Sequence, residues 1–250
     1  MGRMASAAAL QMVRRLCALA ADDEIRRKAA ARVLADLSPA QAVALLDEVL
    51  ALSRQGGRGA AEAQLALSRA LELEREHIPH FDVLRQAATL SETAMVERLF
   101  SEGEAAMAYD AQAAARADAK LFSEPLGVLK AQARLTRDPD AMARFAVASN
   151  ASVVRELLKN PRLTEEVVLR IASRRPARPE PLVEIWRSAR WSSRPAVRRS
   201  LVMNPYLPIS VGARIVPLLN RVDLEEVLTD AGLHLTLKQQ ARSLLQASRV

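Results

Sequence analysis

Two hundred and fifty residues, half of them apolar, supply enough material for a continuous core and exclude a disordered chain. Aromatic residues make up only 3% while Ala and Leu recur throughout, which favours closely packed helices over sheets of β-branched and aromatic side chains. The formal net charge is +7, and no run of about 18 uncharged apolar residues is present to cross a membrane as a helix.

Residues 1–19 are Ala-rich, with Arg14 and Arg15 inside the stretch rather than ahead of an apolar run. That is the wrong order for a secretory signal, and the stretch is expected to form a first helix. Leu10, Val13, Leu16 and Leu19 fall at helical spacing, and Ile25, Ala29, Val33 and Leu37 do so again after Asp22-Asp23-Glu24. Met1-Gly2-Arg3-Met4-Ala5-Ser6 satisfies the minimal myristoylation pattern, a short pattern that arises often by chance. Cys17 is the one cysteine, so no internal disulfide can form; it is expected to be a small core side chain in a reducing, cytoplasmic setting.

Ser38-Pro39-Ala40-Gln41 supplies an N-cap, a proline at the first helical position and a capping-box Gln, launching Val43, Leu46 and Leu50 along one stripe. Gln55-Gly56-Gly57-Arg58-Gly59 reads as a flexible loop between helices. The next helix is expected over roughly 60–76, with Leu65, Leu67, Leu71 and Leu73 available for burial and Ile78-Pro79 as its stop. Caps or breakers recur at Ser91, Ser123-Glu124-Pro125, Asp138-Pro139, Asn160-Pro161, Asn204-Pro205 and Thr236. The pattern predicts an all-α protein of about eleven or twelve helices, each roughly 10–18 residues, divided into an N-terminal helical region over 1–122 and a repeat region over 123–250 continuous with it.

The repeat is visible in the second half. Val153 to Thr164 matches Val197 to Pro208 at an offset of 44, and the register continues as Val167 with Val211, Arg170 with Arg214, and Ile171 with Ile215. Each unit offers a short helix, an Asn-Pro corner and a second helix, and neither helix can bury its apolar stripe without a neighbour.

Val154-Arg155, Asn160-Pro161, Arg198-Arg199 and Asn204-Pro205-Tyr206-Leu207-Pro208 resemble the HEAT-like family of α-helical repeats and the bacterial leucine-rich-repeat variants, over roughly residues 125–250. The resemblance implies an α-solenoid of stacked antiparallel helical hairpins that serves as an interaction scaffold, with a minority of relatives that bind or process DNA. The prolines of Arg175-Pro176, Arg178-Pro179 and Glu180-Pro181 depart from an ideal repeat. Arg outnumbers Lys by 31 to 5, a usage expected of a GC-rich, bacterial genome.

Catalytic signatures are missing from the sequence. His77 and His80 flank Ile78-Pro79 and His234 stands far away, with no set of Cys, Asp or Glu to complete a metal site. The glycine cluster lacks the strand and Lys-Ser/Thr of a phosphate loop, and no nucleophile elbow occurs. The expectation is therefore a protein without enzymatic activity, cofactor or metal.

The charge is informative where it is concentrated. Between Arg170 and Arg199 stand nine arginines and two glutamates, so these thirty residues carry a net charge equal to that of the whole chain. Concentrated arginine favours carboxylate and phosphate through its planar fork and speeds encounter with an acidic partner. Arg187, Arg190, Arg194 and Arg198 recur at steps of three or four along a stripe broken where Pro195 starts a new helix, and with Trp191 they are the expected partner-binding residues. The favoured partner is an acidic protein surface or tail; duplex nucleic acid bound through the same arginines is the alternative, and a HEAT-like DNA glycosylase a remote third. Trp186 shares a helix with Leu182 and Ile185 and is expected in the core, leaving Trp191 as the freer ring for stacking. Internal pairing of the arginines with Glu180, Glu184 or acids of adjacent repeats is the competing expectation. Self-association through uncovered end helices stays open.

Overall fold

A computed structural model describes residues 7–19, 22–57, 59–91, 93–110, 112 and 124–247; the myristoylation pattern lies outside them. Sixteen α-helices occur among these residues, in chain order α1 (Ala7–Ala18), α2 (Asp23–Asp36), α3 (Pro39–Arg54), α4 (Ala60–Leu73), α5 (Phe81–Leu90), α6 (Ala94–Leu99), α7 (Leu126–Leu135) and α8 (Pro139–Phe145), then α9 (Ala151–Leu158), α10 (Glu165–Ser173), α11 (Pro179–Arg187), α12 (Ala189–Ser192), α13 (Pro195–Val202), α14 (Ile209–Ile215), α15 (Arg221–Thr229) and α16 (Leu235–Ala247). No strand is present among them, so the all-α expectation holds. The count exceeds the expected eleven or twelve because the helices are shorter than expected: after residue 90 only α7 and α16 reach ten residues.

Two compact units emerge. The first comprises Met1–Glu102, Ala213–Thr229 and Leu235–Val250, and the second Gly103–Gly212 with Asp230–His234.

In the first unit α4 is the central helix. Every residue from Ala63 to Leu71 is buried, with α1, α2 and α3 packed around it. A helix buried on all faces must accommodate its polar side chains, and Arg69, completely buried, does so by pairing with Asp23 at the start of α2. Burial lowers the Arg69 pKa to about 10. The same demand reorients α2. Its buried positions are Ala30, Ala31 and Leu34, whereas Ile25 of the expected stripe is exposed and Val33 and Leu37 are half-buried. The reason is ionic: Asp23 and Arg27 turn towards Arg69 and Glu74, the latter at 2.8 Å, and fix the helix about its axis.

Local signals are obeyed elsewhere. Ser38 and Gln41 form the expected capping box at α3. Asp22 caps α2 by accepting from the Glu24 amide at 2.9 Å. Gly59 precedes α4 with φ of 74°, and a Cβ there would collide with the Cys17 Sγ. Cys17 is half-buried and donates to the Gly59 carbonyl at 3.2 Å; burial, foremost, raises its pKa. Late residues complete this unit: Arg214 pairs with Glu72, Arg98 donates to Ser243 Oγ at 2.6 Å, and Arg54 donates to the Leu244 carbonyl.

The second unit carries the sequence repeat as far as Gly212. α9 and α13 share both bounds at the offset of 44, and α10 and α14 share their start. Asn160 and Asn204, one residue beyond the end of each first helix and its capping residue, are buried and do the same work. Asn160 Nδ2 donates to the carbonyls of Ala133 (3.0 Å) and Thr136 (2.9 Å) at the end of α7, while its Oδ1 accepts from the Arg162 amide at 2.9 Å. Asn204 Nδ2 donates to Ala172 (2.8 Å) and Arg174 (2.9 Å) at the end of α10, and its Oδ1 accepts from the Tyr206 amide at 3.0 Å. Carbonyls in the last turn of a helix have no partner within the helix, and these asparagines supply one from across the packing interface. The apolar stripes then pack between neighbours: α9 lies against α7 and α11, and α10 against α11 and α13.

Candidate functional site

All nine arginines of the 170–199 stretch belong to the second unit, where they divide into groups. Arg190 donates to three main-chain carbonyls of the Asn-Pro corner: Asn160 at 2.9 Å, Pro161 at 3.3 Å and Leu163 at 3.0 Å. Its guanidinium also lies 4.4 Å from the centroid of Trp191, and that of Arg194 lies 5.2 Å away. Arg194 pairs with Glu165 of α10. Arg198 donates to the carbonyls of Ser192 and Ser193 at 3.1 and 2.8 Å. In the linker between α10 and α11, Arg174 donates to the Val147 carbonyl and Arg175 to that of Met203, so the proline-rich interruption is tied to chain on either side.

Trp191 is not the free ring the sequence suggests. It is 1% exposed, and its Nε1 donates to the Leu158 carbonyl at 3.0 Å. The cause is its place on α12 facing the corner after α9, where Arg190 and Arg194 cover it; the ring cannot stack on a base in this arrangement. Trp186 is buried, as expected.

Arg187, the first of the expected binding residues, stands apart from the Trp191 group. It donates to Glu184 Oε1 at 3.0 Å, and Arg155 from α9 grips the same carboxylate with Nε at 2.7 Å and Nη2 at 2.8 Å. Glu184 is 5% exposed. Burial raises its pKa, but the hydrogen bonds and charges of Arg155 and then Arg187 outweigh that and hold the carboxyl below its usual range. The hydrogen bond to Glu184 in turn raises the Arg155 pKa. An open cleft of about 340 Å³ runs beside this cluster, lined by Arg155, Leu158, Lys159, Glu184, Arg187 and Ser188.

The structure therefore gathers Arg190, Trp191 and Arg194 into one cluster, places Arg198 on the adjoining turn, and gives Arg187 to another. Arg155 and Lys159 were missed in the sequence because they lie outside the dense arginine stretch. The available signal was Glu184, one of only two acids within it.

For metal or cofactor chemistry little is assembled. His77 is exposed and within 3.0 Å of Glu74, His80 precedes α5 with φ of 60°, and no group of three His, Cys, Asp or Glu is close enough to hold a metal among the described residues. No described helix is long and apolar enough to cross a membrane. In comparisons with protein families, curated proteins and solved structures, nothing matches the chain.

Proposed function

We propose that this chain is a cytoplasmic, non-enzymatic scaffold, an α-solenoid of HEAT-like helical repeats whose second unit binds an acidic protein partner. The observation that carries the reading is how the arginines are held. Arg174, Arg175 and Arg190 donate to main-chain carbonyls, which satisfy their N–H groups without cancelling their charge. Ion pairs within the stretch engage Arg170 with Glu166, Arg187 with Glu184 and Arg194 with Glu165. Positive charge is thus both retained and fixed in place, which lowers the ordering cost of meeting a carboxylate-rich surface. Sequestration of Trp191 weighs against the glycosylase reading, which needs a ring at the surface.

The test is fluorescence anisotropy of a labelled octaglutamate peptide and of a labelled mixed-sequence DNA duplex, each titrated with the full chain at low and near-physiological salt. Saturable peptide binding that weakens with salt is expected, with duplex binding weaker. Duplex binding with a steep salt slope and no peptide binding would transfer the arginines to the nucleic-acid reading. Binding of neither removes both.

A further inference from the structure

We infer that the cleft built on Glu184 is the seat for a carboxylate side chain of an extended acidic peptide segment, an inference that rests on the acidic-partner reading above. Three cations reach it, Arg155, Lys159 and Arg187, with side chains 50%, 50% and 48% exposed. Two carboxylates lie among them: Glu184 beneath, bonded to both arginines, and Glu156, which Lys159 reaches at 2.6 Å and Arg134 approaches at 3.8 Å.

Donor inventory points the same way. Arg155 uses Nε and Nη2 on Glu184, which leaves its Nη1 without a protein acceptor among the described residues. The Ser188 hydroxyl, on the same rim, likewise has none. Because Glu184 is buried and bonded to both guanidiniums, it fixes them at the wall, so the remaining donors are arranged before any ligand arrives. Leu158 contributes the apolar part of the lining, against which the methylene stem of a glutamate can pack. About 340 Å³ suits one or two side chains.

The occupant is therefore an acidic chain segment that places one carboxylate against Arg155 Nη1, Ser188 Oγ and Lys159 Nζ. Its neighbouring acids lie outside the cleft.

The experiment uses the full chain and the labelled octaglutamate peptide, read by anisotropy, with Lys159→Glu, Glu184→Gln and, as a control carrying the same charge change on the first unit, Arg221→Glu. K159E is expected to weaken binding about tenfold, the consequence of reversing one contact charge at the seat. E184Q removes the competing negative charge while keeping an acceptor for both arginines, and is expected to tighten binding about threefold, a gain that a purely structural carboxylate does not produce. R221E is expected to change binding by less than about twofold, since Arg221 lines no part of the cleft and its exposed charge is screened by salt. Circular dichroism confirms each fold; if E184Q does not fold, the exposed K159E decides alone. Wild-type binding that K159E and E184Q leave unchanged overturns the seat while the acidic-partner reading stands. No wild-type binding overturns both.

Discussion

Asn160 and Asn204 stand 44 residues apart and close the same gap in successive helix pairs, each donating twice to the end of one helix and accepting once from its own turn. Replacing either with Ala leaves one buried carbonyl, one half-buried carbonyl and an amide without the asparagine partner. Asn160→Ala and Asn204→Ala are each expected to lower stability by about 2–4 kcal/mol, measured by urea denaturation, since each orphaned buried group costs about 1–3 kcal/mol. A variant that melts with wild-type stability would show that water replaces the side chain at no cost.

Arg190 is expected to act first on stability. Arg190→Ala removes the donor to three carbonyls and uncovers one face of Trp191, and a loss of about 1–3 kcal/mol follows by the same reasoning. The chain has two tryptophans, Trp186 and Trp191, both buried. Acrylamide should quench them poorly in the native wild type and more efficiently in R190A, without full unfolding. Equal quenching in both would mean that Arg190 does not shield the ring.

Glu184 links stability to acid. Its folded pKa lies below the ordinary 4.5, so the unfolded chain binds the proton more readily. The carboxylate therefore contributes stability that is present above about pH 4.5 and lost as pH falls through the lowered value. Glu184→Gln should be less stable than wild type at neutral pH, and the difference should shrink as the two are melted at successively lower pH below 4.5. A gap independent of pH would assign the loss to packing alone.

Gly59 answers to two separate constraints, its left-handed backbone and the adjacent Cys17 Sγ. Gly59→Ala is expected to destabilise by more than about 1 kcal/mol, because the new Cβ meets both. Cys17→Ala in the same chain clears the collision and leaves the backbone strain, so the double variant should recover only part of the loss. Complete recovery in thermal melts would mean that the backbone conformation at 59 costs nothing.

The parts of this fold that were legible in the sequence are those fixed by neighbours along the chain. Helical spacing, the Ser38–Gln41 capping box and the period that relates α9–α10 to α13–α14 all arise within a few residues or as a recurrence. What was missed depends on partners 24 or more residues away. The role of Asn160 requires Ala133 and Thr136, the burial of Trp191 requires Leu158, and the rotation of α2 requires Arg69 of α4 and Glu74 just beyond its end. The binding residues split because Arg190 turns to the corner after α9, thirty residues back, while Arg187 turns to Glu184 within its own helix. Spacing on a helix assumes one continuous helix, and the break between α11 and α12 at Ser188 separates them.

The first unit also has an order of assembly written into it. Glu72, Arg98 and Arg54 find Arg214, Ser243 and the Leu244 carbonyl more than a hundred residues later in the chain. During synthesis these contacts therefore stay unmade until residues 214–244 have been translated. A chain halted near residue 212 would leave the ribosome with Glu72, Arg98 and Arg54 lacking these partners, so the contacts that tie the start of this unit to its end form last.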